Sequence, residues 1–382
     1  MTSAPPPIAP KPLANVKVVE IGHSFAAPYA GLILAGLGAE VIKVENPGAG
    51  DYARGWGPPF WKGTASTFLA MNRGKFGITV DLNNENELTR LRDLVSASDV
   101  VIQNLKPGAL AKKGFGPDEL MAANPRLVYC DIGSFGNGPM EAKPGYDPLM
   151  QAVAGIMSVT GDVGLPPVRV GVSLVDIGTG MWSALGILSA LMERGRTGKG
   201  SVVSTSLFET ALAWMTVHMA GYLASGEVRK PHGSGLAEIV PYQVFDTADG
   251  QLMIAAGNDN LFARLCGAIG RKDLADSDLY RKNADRVANR VELLAILKSE
   301  FARVPLHKLS ADLDAVGVPN APLLSVDAVA EHEQTAATGL IQRGAPGTLP
   351  IVGLPVSFDG QRPQFACEAP EQGEHNARLF PK

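Results

Sequence analysis

The feature that most restricts the fold is the regular exchange of short apolar runs with helical stretches through the first half of the chain. Val16–Ile21 is a short apolar run ending at Gly22, and a helical stretch, Ala30–Leu37, follows it. Glu40–Glu45 is the next strand, closed by Asn46-Pro47-Gly48, and Phe76–Leu82 is a third. A helix over Glu87–Ser96 leads into the strand Asp99–Asn104, and Asn124-Pro125 precedes another at Leu127–Ile132. Strand–helix–strand order with short turns predicts an α/β fold: an open, mainly parallel, Rossmann-like sheet covered by helices. Ligands on such sheets bind beyond the carboxyl ends of the strands. The turns after Ile21, Glu45, Asn104 and Ile132 are therefore where a site is expected.

Beyond the polar, glycine-rich turn Arg194–Gly200 come a strand, Ser201–Ser206, and an apolar helix, Leu207–Leu223. A loop over Ser225–Gly235 follows, and then the character changes. Tyr242–Phe245, Asp249-Gly250 and Leu252–Ala255 read as a hairpin, with helices near Leu261–Ile269 and Val291–Arg303. The expected organisation is a large α/β domain over 1–206, a linker over 207–235 and a small α+β domain over 236–319. A return segment, 320–382, completes the large domain, with Gly353–Phe358 as a late strand against it.

At 382 residues the chain is long for one small domain, and 46% apolar with 19% charged residues describes a globular protein with ample core. A net charge of −4 gives no electrostatic reason to expect nucleic acid or an anionic membrane. An anionic ligand must then be met by local basic residues or backbone amides. Cys130, Cys266 and Cys367 are far apart, and the sequence has no CxxC, HExxH or Cys/His cluster, so neither a metal site nor a disulfide framework is expected. The start, Met-Thr-Ser-Ala-Pro-Pro-Pro, lacks the charged-then-apolar pattern of a secretory signal. The apolar run from Met181 is interrupted by Gly186 and reads as core rather than membrane span. A cytoplasmic location is expected.

One carboxylate stands out. Val172-Ser-Leu-Val-Asp176-Ile-Gly-Thr-Gly180 places Asp176 at the mouth of a long apolar helical pattern, with two glycines close behind. Unpaired N–H groups and the positive end of the helix dipole are expected to keep it ionised at neutral pH. From the local pattern it is either a nucleophile or an ordinary N-cap, a role that stabilises a helix by ~1 kcal/mol. No GxGxxG or GxxxxGK[ST] follows any strand, so phosphate contacts would fall to scattered basic residues: Lys43, Arg54, Arg73, Lys75, Lys106, Lys112 and Lys113. The alternative is that these are solvated surface charges.

Several segments, in order and at consistent spacing, resemble the family III CoA-transferases, typified by formyl-CoA:oxalate and carnitine CoA-transferases. They are Leu34–Glu45, Pro47-Gly48 with Gly50-Asp51, Asn72-Arg73-Gly74-Lys75, Asn104–Gly108 and Gly145-Tyr146-Asp147. Gln151-Ala152, Gly155, the Asp176 segment, Arg194–Gly200 and Pro241-Tyr242 complete the set. The resemblance implies that Asp176 is the nucleophile, forming first an acyl-aspartyl anhydride and then an aspartyl-CoA thioester. It implies acyl-CoA and small carboxylic acids as substrates, CoA being a substrate rather than a resident cofactor, with no metal. It also implies an interlocked homodimer.

Positions matching the family's CoA-contacting segments are Ala26, Asn46, Arg73, Lys75, Val80, Asn104, Lys106, Lys112 and Tyr146. Asn46 replaces a basic residue. On the substrate side are Phe25, standing where formyl-CoA-transferring members have glutamine, and Trp56, which reads equally as an ordinary loop aromatic. Gly233-Ser-Gly235 matches the family's glycine loop or is a linker turn. Phe25 implies a less polar pocket than one for oxalate or formate. The resemblance equally covers α-methylacyl-CoA racemases, which need a His/Asp pair of bases; the histidine of that pair would fall at Tyr146, a poor substitute with its reference pKa of about 10. A non-catalytic CoA-binding protein is the third reading, and the presence of Asp176 argues against it.

Overall fold

The computed structural model describes residues 10–381. Contacts divide them into two units: residues up to 156 with 170–223 and 334–381, and a smaller one of 157–169 with 224–333. The boundaries depart from the expected ones. Residues 207–223, expected as linker, are helical and belong to the large unit, whose return begins at Gln334 rather than at 320.

In chain order the large unit contains β1 (Lys17–Ile21), α1 (Ala26–Gly36), β2 (Glu40–Glu45), β3 (Lys75–Thr79), α2 (Glu85–Ser96), β4 (Val100–Gln103) and β5 (Val128–Gly133). Next come α3 (Asp147–Val153), α4 (Leu174–Thr197), β6 (Val202–Ser206), α5 (Leu207–Trp214) and α6 (Thr216–Ser225). The six strands form one sheet in the order β3-β2-β1-β4-β5-β6, every pairing parallel. Both faces are covered, which is why the strands are continuous apolar runs rather than alternating ones. The chain reverses direction across the sheet between β1 and β4, leaving a crevice at their carboxyl ends.

One face packs on α2, where Leu88, Leu91 and Val95 recur at helical spacing and meet Val19, Ile42, Ile78 and Val101 in a common core. The Asn84 side chain starts that helix by accepting the Asn86 and Glu87 N–H groups. Next to α4 lies α1, which is apolar and buried along most of its length. Gly180 makes this approach close: a Cβ there would stand 2.7 Å from the Ala26 carbonyl oxygen and 2.9 Å from the Tyr29 Cβ. By length and composition α4 is apolar enough to cross a membrane. Val175, Gly178, Thr179, Ser183, Ala184 and Ile187 are nevertheless buried within the unit.

Two expectations are corrected. The apolar stretch Leu207–Leu223 is two helices broken at Met215, and Gly353–Phe358 is not a strand of the large sheet. Instead Ile341–Gln342 and Ile351–Val352 pair as a short antiparallel hairpin. These two-residue strands lacked any periodic pattern to announce them.

The small unit is α+β. β7 (Tyr242–Asp246), β8 (Gln251–Ala255) and β9 (Asn320–Pro322) form an antiparallel sheet in the order β9-β8-β7. Helices α7 (Asp259–Ala268), α8 (Arg290–Phe301) and α9 (Leu306–Ala315) pack around it, as the fully buried Phe245, Phe262, Leu293, Phe301 and Leu313 record. Phe245 meets Phe301 edge to face at 4.9 Å.

Gly180→Ala should separate α1 from α4, because the new methyl meets backbone that cannot rotate away. We expect a destabilisation of about 1–3 kcal/mol, read as a lower denaturant midpoint at unchanged slope.

Candidate active site

The start of α4 is organised by a residue from another helix. Asp147, the first residue of α3, is buried, and its Oδ2 accepts the backbone N–H groups of Val175 (2.7 Å) and Asp176 (3.3 Å). Its Oδ1 accepts from Gln151 Nε2 at 2.6 Å, one helical turn on, and Gln151 Oε1 accepts the Val170 N–H at 2.8 Å. Asp147 and Gln151 thus dock the segment 170–173 and satisfy the first amides of α4. Ser173 is the N-cap and supplies no side-chain bond. Asp176, the third residue of the helix, is therefore not its cap.

That division of labour leaves the Asp176 carboxylate half-buried with no hydrogen bond to it among the described residues. Its pKa is pushed up to about 7, by burial first and by the neighbouring Asp147 charge second. The expectation that the helix dipole keeps it fully ionised is corrected, since Asp147 already occupies the helix's free amides. What the sequence reading missed was Asp147 itself. Its signal was present: an Asp and a Gln four apart on a helix bond to one another.

Around the crevice at β1 and β4, several of the expected residues come together. Asn104, just after β4, clasps the turn after β1. Its Oδ1 accepts the His23 N–H at 3.0 Å, and its Nδ2 donates to the His23 carbonyl at 2.9 Å. Phe25 and Ala26 follow at the start of α1, against which the second turn of α4 packs at Gly180. Phe25 stacks on Trp56, with ring centroids 5.7 Å apart and planes at 29°. Tyr146 is half-exposed, immediately before Asp147. Burial lowers the His23 pKa, opposed by the Asp51 charge and reinforced by Lys43.

The basic residues divide sharply. Lys106 and Lys112 are exposed on the turn after β4, and Lys113 donates to Asn83 Oδ1 at 3.1 Å. The others are neither surface charges nor presented to a ligand. Arg73 is buried, donating to the Gln342 carbonyl and pairing with Glu368 at 2.9 Å, and Arg54 pairs with Glu45. Lys43 and Lys75 are fully buried and share Glu20, at 3.0 and 2.7 Å. Arg73 and Lys75 are thus corrected as phosphate contacts, because freeing either would strand a buried charge. Val80 has its side chain in the core behind the sheet, so only backbone is left to meet a ligand there. Asn46 is exposed, its Oδ1 accepting the Gly48 N–H at 2.8 Å.

Gly233 and Gly235 belong to the small unit. Gly233 is left-handed (φ 61°) and donates to the Gly161 carbonyl, and a Cβ there would collide with Asp162. Gly235 donates to the His232 carbonyl at 2.9 Å. The segment is a tight turn in which the backbone requires glycine at position 233.

If Asp147 holds the Asp176 pKa up, Asp147→Asn should move the acidic limb of the pH–activity profile to lower pH. The loss of a like charge makes ionisation easier, so the active carboxylate persists further into acid. A limb that stays near 7, or rises, would show that Asp147 does not set it.

Residues 13–376 match CoA-transferase family III. The succinyl-CoA:glutarate CoA-transferase of Mus musculus is 35% identical over 97% of this chain and 86% of that protein. The succinate–glutarate CoA-transferase of Agrobacterium fabrum is 36% identical over 97% of this chain and 95% of its own length. A crystal structure of a CAIB/BAIF family protein from Brucella suis superposes with a TM-score of 0.88 at 39% identity, covering 97% of this chain and 98% of that one. With an α/β crevice, an unengaged aspartate beside it and matches of this extent, the chain belongs to CoA-transferase family III and is a CoA-transferase.

Proposed function

We propose that Asp176 carries CoA between an acyl-CoA donor and a carboxylic acid acceptor. The observation behind this reading is that Asp147 caps α4 and so leaves the Asp176 carboxylate uncommitted at the edge of the crevice. A carboxylate Oδ of Asp176 attacks the thioester carbonyl and the C–S bond breaks, giving a mixed anhydride and CoA thiolate. The thiolate attacks the aspartyl carbonyl, the anhydride C–O bond breaks, and the donor's acid leaves as carboxylate. The acceptor carboxylate then attacks the aspartyl-CoA thioester, releasing thiolate. Attack of that thiolate on the acceptor-derived carbonyl forms the new acyl-CoA and regenerates Asp176. No proton is transferred at any step, so no general base is required.

Ala26, Asn46, Asn104, Lys106, Lys112, Tyr146 and the backbone at Val80 are the proposed CoA contacts. Lys106 and Lys112 are the exposed cations able to meet phosphate. Phe25 and Trp56 are the proposed wall of the acyl and acceptor pocket. Succinyl-CoA as donor and a short dicarboxylic acid as acceptor are supported by the substrates named for the mouse and Agrobacterium relatives. Tyr146, rather than histidine, beside Asp147 disfavours α-proton exchange as the reaction.

Asp176→Asn should abolish CoA transfer. It should also raise thermal stability, because the native pKa lies above the unfolded value and ionisation of the wild-type carboxylate opposes folding. The gain should grow as pH rises from 4 through 7 and then level off, at roughly 1–2 °C for each kcal/mol recovered. Hydroxylamine added after acyl-CoA should leave a hydroxamate on Asp176, read by peptide mass spectrometry. Normal turnover in the variant, or a label on another residue, would refute the assignment.

The chain is further proposed to act as an interlocked homodimer. Met181, Trp182, Leu185 and Met192 on α4, with Leu212 and Trp214 on α5, present apolar surface, and β6 is an edge strand beside them. A cleft of about 500 Å³ lies between α4, β6 and α5. Apolar area of this kind beside an open edge is normally covered. Sedimentation equilibrium should return twice the chain mass, and the mass of one chain would end this part of the proposal.

A further inference from the structure

The buried charges that the phosphate reading left over form one network, and it has a target. Lys43 Nζ pairs with Glu20 (3.0 Å) and Asp51 (2.8 Å) and donates to the Gly22 carbonyl at 3.0 Å. Lys75 Nζ pairs with the other oxygen of Glu20 and donates to the Pro28 carbonyl, both at 2.7 Å. Asp51 Oδ1 accepts the Ser24 N–H at 3.0 Å. The cluster therefore grips the turn between β1 and α1 at residues 22 and 24 and the first turn of α1 at Pro28, on either side of Phe25. Ser24 sits at φ 70°, a left-handed conformation a non-glycine residue keeps only where surrounding bonds over-determine it.

Asp51 also grips the other half of the aromatic pair. The same Oδ1 accepts the Ala53 N–H at 2.9 Å, and the Ala53 carbonyl accepts the Trp56 N–H at 3.2 Å. Its own N–H donates to Glu45 Oε2, which Arg54 also holds, so the segment leading to Trp56 is fastened at Asp51 and at Arg54. Asp51 is 2% exposed, and its side chain is engaged by Lys43 and by the Ser24 and Ala53 N–H groups. We propose that Asp51 is a positioning residue for substrate choice: it sets Phe25 in register with Trp56, and this wall discriminates among the acids exchanged at Asp176. The proposal rests on the CoA-transferase reading above and adds the residue that sets its selectivity.

Asp51→Asn is the direct test, since one acceptor oxygen cannot serve both Lys43 and the two N–H groups of Ser24 and Ala53. With succinyl-CoA as donor and glutarate or hexanoate as acceptor, the variant should raise the KM for glutarate about tenfold with kcat changed far less. It should shift the glutarate-to-hexanoate kcat/KM ratio by about fivefold or more. In a Trp56→Ala background the same substitution should change that ratio by less than about twofold, because the wall it positions is already gone. Equal loss of kcat for both acids, or shifts that multiply in the double variant, would overturn the proposal. If Asp51→Asn alone does not fold, Lys43→Met with Asp51→Asn removes the stranded charge and lets the remaining oxygen face Ser24 and Ala53. That pair should then keep the wild-type ratio, and a shifted ratio would overturn the proposal. Absence of transfer by the unmodified protein to any acid would instead refute the CoA-transferase reading itself.

Discussion

The carboxylate of Asp147 is the interaction on which the site depends. By accepting the Val175 and Asp176 amides it ends the helix start's need for a local cap, and through Gln151 it fixes the approach of the chain into α4. It also places negative charge beside the Asp176 carboxylate, which disfavours the anion there. A residue that caps with its own side chain spends its lone pairs on backbone amides. Delegating that task to a different helix separates stability from chemistry, and the candidate nucleophile is left with unshared oxygens.

A second constraint is the ion cluster of Glu20, Lys43, Asp51 and Lys75. Four charges without solvent contact have a large desolvation cost, which their mutual attraction offsets only in good geometry. Burial alone would depress the Lys43 pKa, but the carboxylates of Glu20, Asp51 and Glu45 outweigh it and hold the ammonium charged. Apolar residues of similar volume would fill the same space. They would not present directional donors and acceptors to the Gly22 and Ser24 backbone, which runs through a turn with no ladder of its own, or to the Pro28 carbonyl at the start of α1. The cluster is therefore best understood as a backbone splint at the crevice rather than as a source of net stability.

How far the sequence was legible follows from which signals are periodic. The six strands and α2 were readable because apolar runs and a 3.6-residue stripe are local patterns. The family was readable because ordered motifs run from Leu34 to Tyr242. The break at Met215 and the hairpin over 341–352 were not, since two-residue strands and a one-residue helix break leave no period. Charges were the least legible. Lys43, Arg54, Arg73 and Lys75 look like Lys106 and Lys112 in sequence, and only their partners on distant segments, such as Glu20 and Glu368, show that they face inward. For the same reason Asp176 was read as dipole-stabilised: the competing acceptor comes from a residue 29 positions away.

The raised Asp176 pKa has a consequence for the covalent chemistry that goes beyond protonation. Its cause is that burial and Asp147 penalise the anion and leave a neutral side chain untouched. Acylation neutralises the side chain just as a proton does. The anhydride and the aspartyl-CoA thioester would each relieve the penalty, and a shift from 3.8 to about 7 sets the relief at no more than on the order of 4 kcal/mol, less whatever solvent screens. A thioester is normally uphill from a carboxylate in water. If Asp176 carries the intermediate as proposed, the free carboxylate is the strained form, and the enzyme-bound thioester would lie closer in energy to the acyl-CoA substrates on either side of it. An exchange between two acids of similar energy runs fastest when the intermediate between them is neither a trap nor a summit, and a destabilised resting carboxylate moves it toward that level.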